Sequence, residues 1–170
     1  YQGDKTAQLI ATHPGTIRND YVKTEQEAVI IRALIEHGYM KEAQQALRFY
    51  YIQTHAGIEP VFNSYHVMSG EPLERVPGLN NPRTAATEAG SFIAITEAAI
   101  EYAARTNDQD AMQFAQNLIR QMIERGYFGE NYAGIMVSPV GKIIKIDGII
   151  LWPKAENYNT ADNSRAYLLF

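Results

Sequence analysis

Two stretches of this chain are apolar on nearly every side of a helix, and each is followed by a stretch that is apolar on one stripe only. In residues 24–37, Ala28, Val29, Ile30, Ile31, Ala33, Leu34 and Ile35 leave almost no polar face. In residues 88–105, Phe92, Ile93, Ala94, Ile95, Ala98, Ala99, Ile100, Tyr102, Ala103 and Ala104 do the same. A helix that is apolar all round must be covered all round. Residues 40–54 instead gather Ala43, Ala46, Leu47, Tyr50 and Tyr51 on one stripe, and residues 109–125 do so with Ala111, Met112, Phe114, Ala115, Leu118, Ile119, Met122 and Ile123. Such helices keep one wet face. The order is therefore inner, outer, inner, outer. A mainly α fold is expected, made of alternating inner and outer helix hairpins set in a ring or arc.

Local signals bound these helices. Thr24 and Glu27 have capping-box spacing, in which each side chain satisfies a free amide of the first turn. Gly38 is placed to end the first helix in a left-handed conformation. His37 and His55 read as helix C-terminal residues, favoured there by the dipole. Asn107 or Asp108 is expected to cap the second outer helix. Thr–Glu or Thr–Ala pairs precede apolar runs at Thr24, Thr87 and Thr160, so a third inner helix is expected to begin near residue 160. Recurrence of a helix pair is the signature of a repeat array, in which each unit buries its face on its neighbours. The chain opens at Tyr1 without a methionine and stops at Phe170 inside a helix-like stretch. It therefore reads as a single domain over residues 1–170 that is a fragment of something larger.

Long segments separate the pairs. Residues 56–86 carry Pro60, Pro72, Pro77 and Pro82 and cannot be helical throughout. Residues 127–159 alternate as short strands at Ile135 to Val137, Lys142 to Ile146 and Ile149 to Trp152, broken by Ser138-Pro139-Val140-Gly141 and Asp147-Gly148, which suits a small β-meander. Each long segment leaves an outer helix and leads to an inner one. Both are thus expected on one rim, beside the inner-helix starts, and loops this long inside a compact unit are usually functional.

Composition narrows the chemistry. The net charge of −4 comes without any Lys/Arg cluster, which argues against a nucleic-acid partner. No apolar run is long enough to span a membrane. Cysteine is absent, so disulfides, thiolate catalysis and Cys-type zinc sites are excluded. His13, His37, His55 and His66 show no metal-ligand spacing, and neither a metal nor a cofactor is expected.

The run Asn19-Asp20-Tyr21-Val22-Lys23-Thr24-Glu25, leading into Ala28 to Leu34 and then Gly38-Tyr39, resembles the opening of glucoamylase-like members of the six-hairpin (α/α) toroid glycosidases. Tyr158-Asn159-Thr160-Ala161-Asp162-Asn163 resembles an acidic helix start found in the same superfamily. The chain has Thr24-Glu25 where the family opening has Arg-Asp, and Ala161 where an acid is usual. Six such hairpins need roughly 400 residues, so the chain would supply less than half a ring. The resemblance implies a carbohydrate-active protein acting on an oligo- or polysaccharide, in a secreted or periplasmic setting. The remainder of the ring would come from missing chain or from self-association.

Hydrolysis of a glycosidic bond uses two carboxyl groups, one to protonate the leaving oxygen and one to activate water or attack. On the expected rim the catalytic candidates are Glu25, Glu88 and Asp162, all in first helical turns. The competing reading makes them acids that complement the helix dipole and cap free amides. Candidate substrate-binding residues are Trp152, Tyr158 and Asn159 beside Asp162, His66 in the first long segment, and Tyr21. The 11 tyrosines fit a sugar cleft and equally a packed protein interface. Two alternatives stand beside hydrolysis. One is a non-catalytic helical repeat module that binds glycan or protein. The other is a sugar lyase or epimerase drawing its base from Tyr65, His66 or Tyr158.

Overall fold

The computed structural model describes Ala7, Leu9, residues 21–72 and 87–125, and Tyr127, with the backbone of 144–146 and 149–151. In chain order the elements are β1 (Tyr21–Lys23), α1 (Thr24–Glu36), α2 (Met40–Gln53), β2 (Ser64–His66), α3 (Ala89–Thr106), α4 (Gln109–Glu124), β3 (Ile144–Ile146) and β4 (Ile149–Leu151). The expected helices are therefore present, shifted by a residue or two at their ends. β3 and β4 pair antiparallel with Ile146 opposite Ile149, in keeping with the expected meander. The expected strand Ile135 to Val137 and the third inner helix near residue 160 lie outside the described residues.

Tight turns make each helix pair a hairpin. α1 ends with Gly38 at φ +82°, the Gly38 amide donating to the Ile35 carbonyl and the Tyr39 amide to that of Leu34. This is the Schellman arrangement, and it satisfies carbonyls that the last turn leaves bare. α2 stops in the same way with His55 at φ +47°, where the His55 and Ala56 amides return to Ile52 and Tyr51. α4 starts on Asp108, whose Oδ1 accepts the amides of Asp110 at 3.0 Å and Ala111 at 3.1 Å.

α1 and α3 run in the same direction. Their starts meet at Asn63, which accepts the Thr24 amide on its backbone oxygen and the Glu88 amide on its side-chain oxygen. Further along both helices, Arg32 bridges to Glu97 and Glu101 at 3.0 Å each. α2 and α4 also advance together. Tyr51 stacks edge-on against Phe114, and beyond it Asn117 Nδ2 donates to the Ala56 carbonyl.

α3 is the central element, with every residue from Ala89 to Thr96 buried. Phe92, Ile93 and Ile95 are wholly enclosed, each contributing about 1.5–3 kcal/mol of transfer free energy. Here the all-round apolar reading holds. For α1 it does not. Val29 is 66% exposed, and Glu25, Gln26, Arg32, Ala33 and Glu36 share the open side. Its buried stripe is Thr24, Glu27, Ala28, Ile31 and Ile35, a one-sided pattern that the apolar run conceals.

The expected capping box of α1 is also absent. Lys23 is the N-cap and makes no side-chain cap bond, and Thr24 is already helical. Thr24 Oγ1 donates instead to the Phe62 carbonyl at 2.5 Å. Glu27 turns into the core, where it accepts the Tyr50 hydroxyl at 2.9 Å. A short ladder that the residue pattern did not announce does the work expected of the cap. β1 pairs antiparallel with β2, placing Tyr21 opposite His66, Val22 opposite Tyr65 and Lys23 opposite Ser64.

Candidate functional site

The end of the molecule where α1 and α3 begin collects most of the nominated residues that lie within the described chain. It is organised by residues 62–66, which return from α2 and lie against both helix starts. The Phe62 peptide is held on both sides, its amide donating to Tyr65 Oη at 3.0 Å and its carbonyl accepting from Thr24 Oγ1. Tyr65 is itself immobilised, fully buried with its ring edge-on to Phe49 and Tyr50. Asn63 follows. Its Oδ1 accepts from the Glu88 amide at 3.0 Å and from Ser91 Oγ at 2.9 Å.

The segment leaving α4 reaches the same end. Tyr127 is buried against Phe92, and its hydroxyl donates to the Thr87 carbonyl at 2.7 Å. Burial pushes its phenol up to about 12, the Thr87 side chain and the Arg125 charge opposing that rise only in part. Residues 62–66 of the first long segment and Tyr127 at the start of the second thus lie beside the helix starts.

Tyr21 and His66 are directly opposed in the β1–β2 ladder, which places their side chains on one face of it. Both are half-buried. His66 Nδ1 accepts from the Ser69 amide at 3.2 Å and lies 3.1 Å from Ser69 Oγ. A backbone N–H can only donate, so Nδ1 carries the lone pair and Nε2 the proton in this arrangement. Nε2–H is then the group available to a ligand acceptor.

Glu25 is exposed on the first turn of α1. Glu88 is half-buried and is the N-cap residue of α3, yet its carboxyl makes no cap hydrogen bond. The capping that the competing reading assigned to this acid is performed by Asn63. Asp162, Trp152, Tyr158 and Asn159 lie outside the described residues. Tyr65, named as a candidate base, is sealed in the core with its oxygen engaged by Phe62, so it does not face the rim. Among the described residues no group of three or more His, Asp or Glu side chains is disposed to hold a metal. No described helix is long and apolar enough to cross a membrane.

Two residues of consequence escaped the sequence reading. Asn63 carries no local signal, because its partners are remote along the chain. Glu27 was assigned to a cap, whereas it lies fully buried under the rim beside Tyr50. Burial pushes the Tyr50 phenol well up, and the adjacent Glu27 charge adds to the rise. The phenol therefore stays a hydrogen-bond donor to that carboxyl. No protein-family model, curated protein or solved structure matches the chain.

Proposed function

We propose that this chain is part of a carbohydrate-active protein built on an (α/α) hairpin toroid or arc, with a rim cleft that hydrolyses glycosidic bonds in an oligo- or polysaccharide. The observation that carries this reading is the Asn63 junction. It brings the acidic starts of α1 and α3 to one end of the molecule. Inner helices α1 and α3 running side by side in one direction, each antiparallel to its outer partner, agree with a toroid of repeated hairpins. Glu88 is the preferred general acid, because it is half-buried at this junction whereas Glu25 lies exposed on the first turn of α1. Glu25 or Asp162 would supply the second carboxylate. Tyr21 offers an aromatic surface to a sugar C–H face, and His66 Nε2–H a donor to a sugar oxygen. The chemistry needs no cofactor.

The test is product analysis by mass spectrometry after incubation with a diverse oligosaccharide panel. Cleaved products that together contain one added water would establish hydrolysis, and their loss in a folded Glu88→Gln variant would assign the acid. Unsaturated products would replace hydrolysis by elimination. A non-catalytic glycan-binding module is the second reading, favoured by the open position of Glu25, which no described element encloses as a cleft would. It predicts binding without turnover.

A further inference from the structure

A separate groove lies between α2 and α4, toward the end of the hairpins away from the rim. Its volume is about 130 Å³. Tyr102, near the far end of α3, and Phe114 form part of its floor and are almost fully enclosed. Tyr51 forms a wall and is 38% exposed, its ring held edge-on against Phe114 at 5.6 Å. Arg48 and Gln44 line it from α2, and Asp108 and Asp110 from the start of α4. The Asp108 carboxyl is fixed in orientation by the two amides that it caps.

Size and charge select the occupant. A volume near 130 Å³ falls below the 300 Å³ or more of a drug-sized pocket. It suits a single ring. The lining carries one guanidinium and two carboxylates, so an anion would meet Asp108 and Asp110, and a cation would meet Arg48. A neutral ligand with an apolar face and a rim of hydroxyls meets neither penalty. It would stack on Tyr51 and exchange hydrogen bonds with donors and acceptors already in place. Burial, reinforced by the Asp108 charge, raises the Tyr102 phenol and keeps it protonated.

We propose that this groove is a second carbohydrate-binding site that takes one pyranose ring of a neutral polysaccharide, held on Tyr51 between Arg48 and the two aspartates. It rests on the carbohydrate reading of the rim but is physically separate from it, so it would hold polymer on the outer face while the rim acts on a chain end or bond.

The experiment is affinity electrophoresis of the whole chain in native gels containing soluble starch, galactomannan, mixed-linkage β-glucan or xylan. Helicity of each variant is checked by circular dichroism. At least one gel should retard the chain. Tyr51→Ala should weaken that retardation by about tenfold, the worth of one stacking contact, while Tyr51→Phe keeps it. Asp110→Asn, at an exposed site that folding does not need, should weaken it by a few-fold. Equal retardation of Tyr51→Ala, Asp110→Asn and the unsubstituted chain would overturn the groove and leave the rim reading intact. Release of the bound chain by trilysine, abolished in Asp110→Asn, would reassign the groove to basic peptides. Absence of retardation in every gel would overturn the groove, and if the oligosaccharide panel were also unchanged the hydrolytic reading would fall with it.

Discussion

Asn63 accepts the Glu88 amide on its side-chain oxygen at 3.0 Å while its backbone oxygen accepts the Thr24 amide at 2.9 Å, so one residue caps two parallel helices. Removing the side chain leaves the Glu88 amide and the Ser91 hydroxyl without that acceptor in a half-buried setting. Asn63→Ala should therefore cost about 1–3 kcal/mol, the usual range for orphaned donors. Asn63→Asp keeps an acceptor in place and should lose less. Urea denaturation followed by helicity measures both, and equal losses would contradict the capping role.

The Tyr50 hydroxyl donates to a carboxyl that is wholly buried. Tyr50→Phe should destabilise the fold by about 1.5–3 kcal/mol, the range for a hydrogen bond to a charged group. Combined with Glu27→Leu, which leaves no acceptor, the two losses should not add, because each variant removes the same contact. Additive losses would mean that the pair does not interact.

Gly57 stands at φ +87°, and a Cβ built there would lie 2.7 Å from the Asn117 Cβ. Both the backbone and the space oppose a side chain. Gly57→Ala should cost about 2 kcal/mol or more and loosen the contact between the end of α2 and α4. A lower melting temperature is the expected readout, and an unchanged one would refute the close approach.

Tyr127 has its pKa raised from about 10 to about 12 by burial. A folded-state pKa above the unfolded value means that the folded state holds the proton more tightly. The associated stability is complete below pH 10 and is lost as pH rises from about 10 toward 12. Tyr50, also raised by burial, reinforces the trend. Tyr127→Phe removes its own contribution, so its stability should fall less steeply across that window in titrations by fluorescence or circular dichroism.

Helix α3 was legible because its apolar residues extend around the whole circumference, and the fold encloses it on that account. α1 was misjudged for a physical reason. Val29 and Ala33 made its run look fully apolar, yet they face outward, while the charged Glu27 faces inward because Tyr50 is there to meet it. A pattern of residue types records hydrophobicity but not the distant partner that makes a buried acid tolerable. The β1–β2 ladder was illegible on the same grounds, since three-residue strands carry too little alternation to be seen and their register is set across the chain. At the candidate site, the placing of residues 62–66 and of Tyr127 beside the helix starts was foreseeable from the order of inner and outer helices. The Asn63 junction that achieves it was not, because a cap borrowed from another hairpin leaves no local spacing.

The borrowed cap also runs in one direction only. The first hairpin completes its own start, for Thr24 finds the Phe62 and Asn63 carbonyls within the segment that follows α2. The second hairpin cannot do likewise, because the acceptor for Glu88 and Ser91 belongs to its predecessor. The start of the second hairpin is therefore completed only in contact with the first, so the two pairs share one unit of stability rather than standing as independent halves.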